Sequence, residues 1–275
     1  MRKRVDFFGQ RLYNDTVMEQ YRHEETFNVG FCDADFKDEM KISSLLSYFE
    51  TAASNSAEEL GFGYSFLKAH GYAFFLCEIR CTLYKSVALG EALRVVTWPT
   101  PPSYAVFGRE FEGFCAHKEK ALIATSRWCA VDFASGRILT SKAFPEQDYS
   151  DSAVYDPHKS GVPAGKTAKL SPEEGELRYF FTVANSEYDH NMHVNNTRYA
   201  DYCLNCFSVE ELAKRRLKGF ALSYVKQCRE GDELRFYRKD GENGVTLVSG
   251  YNQSGENVLR AEFTFAFRED SGAGR

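Results

Sequence analysis

The sequence predicts an α+β protein made of two units, in each of which one helix lies across one face of an antiparallel sheet. Three observations support this prediction: two amphipathic helical segments, a group of strand-like runs after each of them, and a short segment that recurs in both halves of the 275-residue chain. Antiparallel strands commonly bury one face only, and a single helix can cover that face.

The strands are predicted from runs in which aromatic or β-branched residues alternate with polar ones. Four such runs follow each helical segment. They are 72–83, 92–98, 105–114 and 121–133 in the first half, and 220–228, 233–237, 245–251 and 258–267 in the second half.

The first helix is predicted over residues 42–60, because apolar residues recur there at steps of three and four. Ser43 or Ser44 is the expected N-cap, and Gly61 is the expected stop. The following segment, 63–71, is expected to be an inserted loop, because the corresponding part of the second half is shorter.

A short repeat relates the two halves. The segment Gly90–Arg94 recurs in form at Gly231–Arg235, a displacement of 141 positions. The same displacement aligns the alternating apolar residues of 77–87 with those of 218–228. The repeat therefore supports two units of similar architecture.

A polar tract between residues 140 and 177 predicts the connection between the units. Four of the seven prolines of the chain lie in it. We therefore expect an N-terminal domain at 1–145, a linker at 146–177 and a C-terminal domain at 178–275.

Composition excludes several classes of protein. The formal net charge of −5 argues against nucleic acid as the main partner. No run approaches the roughly 20 apolar residues of a membrane-spanning helix. The eight cysteines are scattered along a chain without a recognisable secretory signal, so we expect free thiols and a cytoplasmic location.

The candidate site is the polar cluster Asp189–Asn196, which precedes a second helix predicted over 199–207. The N-terminus of a helix can stabilise an oxyanion, and the cluster brings an acid, amides and imidazoles to that point. Alternatively, Asn195 and Asn196 are simply caps. His190 and His193 form a His-x-x-His pair, but too few further ligands are nearby to favour a metal site.

The run Ser186–Tyr199 resembles the active-site motif of the acyl-(acyl carrier protein) thioesterases of plants and bacteria, in which Asp-x-Asn-x-His-Val-Asn-Asn precedes a helix. The resemblance extends from about Tyr21 to Phe267 and includes Thr97-Trp98-Pro99 and Ser126-Arg127-Trp128. It implies two fused hotdog units, each a long helix wrapped by an antiparallel sheet. It also implies that the first helix and nearby aromatic residues line an acyl tunnel.

The resemblance marks Asp189, Asn191 and His193 as catalytic, with Asn195 and Asn196 as substrate or oxyanion contacts. Where the family usually has Glu followed by Cys, this sequence has Gln227 followed by Cys228. An amide cannot take a proton, so we expect His193, supported by Asp189, to activate water.

Two roles remain open for the pair Gln227 and Cys228. Neighbouring strand residues point to opposite faces, and Cys228 shares its parity with the bulky residues Phe220, Leu222 and Tyr224. We therefore expect Gln227 to face the site and Cys228 to pack in the core. The alternative is that Cys228 is a nucleophile.

The expected activity is hydrolysis of fatty acyl-(acyl carrier protein), releasing a free fatty acid in fatty acid biosynthesis, with no metal or organic cofactor. The alternatives are an acyl-coenzyme A thioesterase on the same scaffold and a non-catalytic protein that binds acyl chains or the carrier. A homodimer is one expected assembly.

An acidic enzyme needs a local cationic patch to dock an acidic carrier. The densest cationic run consists of Lys214, Arg215, Arg216 and Lys218. It is expected to follow the second helix, where cations are also favoured by the helix dipole, so it is either a docking patch or a helix terminus.

Overall fold

The fold is described from a computed structural model over residues 20–144, 149–151, 153–189 and 192–268. The elements of the first half are β1 (His23–Asn28), α1 (Ile42–Glu59), α2 (Tyr64–His70), β2 (Tyr72–Leu83), β3 (Ala92–Ser103), β4 (Val106–Phe114), β5 (Lys120–Asp132) and β6 (Ile138–Leu139). Those of the second half are β7 (Glu176–Thr182), α3 (Arg198–Leu204), α4 (Val209–Ala213), β8 (Arg215–Tyr224), β9 (Glu233–Asp240), β10 (Val245–Tyr251) and β11 (Asn257–Phe267).

Within the described residues, eleven strands form one antiparallel sheet. Its order is β1-β3-β4-β5-β2-β8-β11-β10-β9-β7, with β6 paired to β5. The two halves meet at β2 and β8, which pair from Glu78 with Ser223 to Thr82 with Gly219. The expected α+β architecture of two helix-on-sheet units is therefore confirmed.

The helix α1 covers the first half of the sheet because its apolar stripe is continuous. Leu45, Phe49 and Ala52 are each buried, and the Phe49 ring stacks on Phe111 of β4 at 4.4 Å between centroids. The residue at the N-cap is Lys41, which makes no side-chain capping bond, so the expected caps Ser43 and Ser44 are wrong.

The end of α1 agrees with the stop predicted at Gly61, but the segment that follows differs from its prediction. Gly61 has a φ of 82°, the left-handed conformation that glycine adopts readily after a helix. The segment expected to be a loop, 63–71, contains the helix α2. It ends at Gly71, whose φ of 68° again suits glycine.

The outer strands β1 and β7 were not predicted. Half-buried and exposed residues alternate in β1, whereas β7 begins with three exposed residues, and no position of either strand is fully buried. Short edge strands are common because they offer few unpaired backbone groups to other chains. The predicted strand 220–228 is also displaced, since β8 begins at Arg215 and ends at Tyr224.

The described part of the polar tract crosses the sheet on the face opposite α1. The Trp98 indole donates to the His158 carbonyl (3.1 Å), and the Tyr251 hydroxyl donates to the Leu170 carbonyl (2.7 Å). Ser160 donates to the buried carboxylate of Glu110 through its backbone N–H (3.0 Å) and its hydroxyl (2.7 Å). These bonds attach the tract to both halves, whose exact boundaries stay a prediction.

No helix in the described ranges is long and apolar enough to cross a membrane.

Gly219 has no Cβ, and this allows β2 and β8 to approach each other closely where the two halves meet. A Cβ at Gly219 would lie 2.8 Å from the Cys81 carbonyl oxygen, a backbone atom that cannot move aside. We expect Gly219→Ala to lower the free energy of unfolding by about 1–3 kcal/mol, the usual cost of overpacking, in urea titrations. Gly165→Ala is the control, because its Cβ would meet only the flexible Arg80 guanidinium at 3.4 Å. Equal stability of both variants would contradict the account of the junction.

Candidate active site

A tight loop, Glu187–Asn195, lies between β7 and α3 and carries the predicted catalytic residues, so we call it the catalytic loop. The Asp189 N–H donates to the His193 carbonyl (2.8 Å), and the Asn195 N–H donates to the Glu187 carbonyl (2.8 Å). Met192, at the tip, has a φ of 61°, which reverses the chain. The backbone therefore holds Asp189 and His193 opposite each other, and Asp189 Oδ1 accepts a weak bond from the His193 N–H (3.4 Å).

The His193 side chain lies against the first half of the protein. Its ring makes an edge contact with Phe75 of β2 (5.3 Å between centroids) and is parallel to Phe133, just after β5 (6.4 Å). Its Nδ1 atom is buried and has no hydrogen-bond partner among the described residues. Aromatic residues of one half thus place a histidine of the other half.

Asn195 and Asn196 do not cap the helix as expected. Thr197 is the residue at the N-cap of α3. The Asn195 side-chain oxygen accepts from the Thr197 N–H (2.9 Å) and hydroxyl (2.8 Å), so it stabilises the turn before the helix. The Asn196 carbonyl accepts from the Tyr224 hydroxyl (3.0 Å). Because the Asn195 N–H is already bonded to Glu187, it is a poor oxyanion donor. Asn191 and His190 lie outside the described residues.

Glu187 fixes the loop to α3, and the sequence reasoning missed this role. Its carboxylate accepts from Arg198 Nε (3.0 Å) and from the Tyr202 hydroxyl. Burial opposes ionisation of Glu187, but these bonds and the Arg198 charge outweigh it and lower the pKa. In the sequence, Glu187 is a single acidic residue just before Asp189. The sequence alone does not distinguish such a residue from an ordinary surface residue.

Gln227 and Cys228 lie beyond the end of β8, so strand alternation does not govern them. Gln227 is exposed, whereas Cys228 is 1% exposed. Burial raises the pKa of the Cys228 thiol to about 11, despite a hydrogen bond from the Tyr199 hydroxyl. The thiol is therefore protonated at neutral pH and is a poor nucleophile.

A cavity of 420 Å³ begins beside the catalytic loop and runs into the first half. Met192 and Phe133 line it at the loop, and Ala53 and Ala57 of α1 line it further in. Aromatic residues complete the walls, among them Tyr72, Phe74, Phe107 and Trp128. The helix and the aromatic residues that were expected to line an acyl tunnel thus do line a cavity, and its size and apolar walls suit an alkyl chain.

One cation lies in the wall of this cavity. Arg109 is 6% exposed and donates to the hydroxyls of Ser56 (2.9 Å) and Thr97 (3.2 Å). Burial lowers its pKa to about 10. The sequence reasoning missed Arg109, because an arginine in a strand gives no indication that it faces inward.

The cationic run does not follow the second helix as expected. Lys214 is the residue after α4 and pairs with Glu210 (2.7 Å), whereas Arg215, Arg216 and Lys218 belong to β8. This end of β8 is nine residues, or about 30 Å, from Tyr224, which donates to the carbonyl of Asn196, the residue directly after the catalytic loop. The helix-terminus interpretation is therefore wrong for all but Lys214.

A sheet wrapped around a helix in each half, with a polar loop of the second half against the first, defines a protein of two fused hotdog units. The family model "Acyl-ACP thioesterase N-terminal domain" matches residues 20–142, and "Acyl-ACP thioesterase C-terminal domain" matches residues 171–267. The chain belongs to the acyl-ACP thioesterase family.

Known proteins agree with this assignment. The chain is 22% identical over 242 residues to the chloroplastic acyl-[acyl-carrier-protein] hydrolase FATB3 of Cuphea viscosissima, a match that covers 84% of this chain and 57% of that relative. It thus spans little more than half the length of that curated relative.

Two solved structures share the fold. An acyl-ACP thioesterase from Bacteroides thetaiotaomicron matches with a TM-score of 0.78 at 22% sequence identity, and the match covers 89% of this chain and 98% of that structure's chain. The 12:0-ACP thioesterase from Umbellularia californica has a TM-score of 0.78 at 17% identity and covers 90% and 98%.

The thiols generate a prediction about reactivity. The neighbouring Cys77 thiol lowers the pKa of the Cys129 thiol, whereas burial raises the pKa of the Cys228 thiol to about 11. At pH 7.5 we therefore expect a much larger fraction of Cys129 than of Cys228 to be thiolate, the reactive form, and under about one in a thousand of Cys228. Iodoacetamide should therefore label Cys129 long before Cys228, as measured by peptide mass spectrometry. The exposed Cys32 is the positive control. Equal labelling of Cys228 would contradict its assignment as a buried, protonated thiol.

Proposed function

We propose that the protein hydrolyses the thioester of fatty acyl-(acyl carrier protein) and releases a free fatty acid. The observation that carries the proposal is the position of His193 directly beside two residues that line the apolar cavity. Its ring is parallel to that of Phe133, it follows Met192 in the chain, and its buried Nδ1 has no partner among the described residues. The family assignment supports the same reaction.

In the proposed mechanism, the acyl chain fills the cavity and the thioester carbonyl lies beside the catalytic loop. His193 takes a proton from water as the water attacks the carbonyl carbon, and it returns a proton to the departing thiol. Asp189 faces His193 across the loop and favours the imidazolium that forms. Asn191, carried over from the family motif, is proposed to polarise the carbonyl oxygen.

We favour water over a thiol as the nucleophile. Cys228 is buried and protonated, so a thiolate would have to form against its raised pKa. Gln227 is exposed beyond β8 and can orient water through its amide, although it cannot act as a base. His193 is then the group that moves the proton.

The proposed partner is the acyl carrier protein. We propose that it approaches on the Met192 side of the molecule, where the exposed Lys68 lines the cavity. Docking at Lys214, Arg215, Arg216 and Lys218 is less favourable, because that end of β8 is about 30 Å from the catalytic loop. The eight free thiols suit a cytoplasmic location, which we propose together with the homodimer.

His193 provides the direct test. If it moves the proton, His193→Ala should lower kcat on dodecanoyl-(acyl carrier protein) by about 10²–10⁴-fold, with little change in the thermal unfolding midpoint. Release of free thiol measures the rate. His158→Ala is the matched control, since His158 is exposed on the polar tract and only its backbone is used. A rate for His193→Ala equal to that of the wild type would remove His193 from the mechanism.

Gln227 provides a second test. Gln227→Glu replaces an amide with a group that can accept a proton, so we expect kcat to hold or rise above pH 6, where the exposed carboxyl is ionised. A pH profile of kcat measures the change. A collapse of kcat across the whole pH range would show that the site requires the amide and would contradict the auxiliary role.

A further inference from the structure

The first half contains a second copy of the catalytic loop in its backbone geometry. The loops Asp33–Lys41 and Glu187–Asn195 have the same length and precede the helices α1 and α3. The chain reverses in the left-handed conformation at Asp38 (φ 58°) and at Met192 (φ 61°). An isolated bridge closes each loop, Ala34 with Met40 and Tyr188 with Val194.

Three backbone hydrogen bonds recur at the same displacement of 154 positions. In each pair a backbone N–H donates to a backbone carbonyl. Asp35 donates to Glu39 (2.7 Å) as Asp189 donates to His193 (2.8 Å), and Lys41 donates to Asp33 (2.8 Å) as Asn195 donates to Glu187 (2.8 Å). Asp38 donates to Asp35 (3.0 Å) as Met192 donates to Asp189 (3.1 Å). This places Asp35 and Glu39 where the catalytic loop has Asp189 and His193.

The first loop lacks a group that can move a proton at neutral pH. Lys37 Nζ lies 3.3 Å from both Asp35 Oδ2 and Glu39 Oε2, and Arg268 also pairs with Glu39. Burial opposes ionisation of Glu39, but a bond from Ser86 and the charges of Lys37 and Arg268 outweigh it and lower the pKa. The carboxylate in place of the imidazole is therefore neutralised by fixed ion pairs and is a weak base.

A second cavity of 360 Å³ lies beside this first loop, as the larger cavity lies beside the catalytic loop. Asp35, Phe36 and Lys37 line it at the loop. Its apolar walls include Leu45, Leu83, Phe220 and Phe265. The short helices correspond as well: α2 lines the larger cavity through Leu67, and α4 lines the second through Leu212. Size and apolar walls again suit an alkyl chain.

The charged side chains that line the second cavity determine which kind of polar head group a bound ligand can carry. Lys37 is held by two carboxylates, and Lys41 Nζ donates to the Cys32 carbonyl (2.9 Å). The half-buried carboxyl of Asp201 also lines the cavity. An anionic head would meet these acids, while both lysines of the lining already have partners, so an uncharged polar head fits better.

We infer that the second cavity is a non-hydrolytic binding site for an alkyl chain with an uncharged polar head, such as a fatty alcohol. The ligand would place its chain among the apolar walls and its head beside the first loop. No bond is broken there, because the first loop has no imidazole. The inference does not depend on hydrolysis at the first cavity.

Equilibrium dialysis of the full chain against radiolabelled 1-decanol tests the inference. We expect two molecules to bind per wild-type chain. Leu212→Trp should fill the second cavity and weaken one of these sites at least tenfold, while hydrolysis of dodecanoyl-(acyl carrier protein) continues and reports a folded protein. Leu67→Trp is the matched variant of the first cavity and should lose the other site together with hydrolysis.

Val209→Trp provides a second variant that does not depend on core packing, because Val209 is 66% exposed and lines the same cavity. It should weaken the same decanol site as Leu212→Trp. Decanoate, which carries the anionic head, should bind the second cavity at least tenfold more weakly than decanol. Decanol binding that neither Leu212→Trp nor Val209→Trp weakens would overturn the inference, whether the wild type binds one molecule or two.

Discussion

The antiparallel pairing of β2 with β8 is the contact on which the rest of the molecule depends. It joins the strands of both halves into one sheet, and the absence of a Cβ at Gly219 allows the close approach. The same pairing brings Phe75 of β2 against His193 of the second half. Without this pairing, the His193 imidazole would lose its contact with Phe75, and the cavity of the first half would no longer lie beside the catalytic loop.

The two halves show how one backbone geometry can serve different chemistry. Backbone hydrogen bonds fix both loops in the same shape, so the side chains decide what each loop can do. The first loop is also tied to the chain after β2 by Met40 N–H to the Val87 carbonyl (2.8 Å). In the catalytic loop, the Tyr188 hydroxyl instead accepts from the Glu230 N–H (2.6 Å). An imidazole against aromatic rings can move a proton, whereas a carboxylate held by two cations is a weak base.

Periodicity predicted the elements that bury an apolar face, namely α1 and the inner strands, because burial of one face requires apolar residues at regular intervals in the sequence. It did not predict β1 and β7, which lie at the sheet edges and have no fully buried position. The motif located the catalytic loop, but Phe75 and Phe133 could not be assigned to the site, since their contact with His193 requires the pairing of distant strands. Gln227 was placed by strand alternation, which fails because β8 ends at Tyr224.

A structure of the protein with a dodecyl thioether of pantetheine, which cannot be hydrolysed, tests the central claim most directly. The account predicts that the alkyl chain lies in the 420 Å³ cavity between α1 and the strands β2 and β4, with the sulfur beside Met192 and the His193 ring. A chain bound outside that cavity, or a sulfur remote from His193, would contradict the claim that catalysis occurs where the two halves meet.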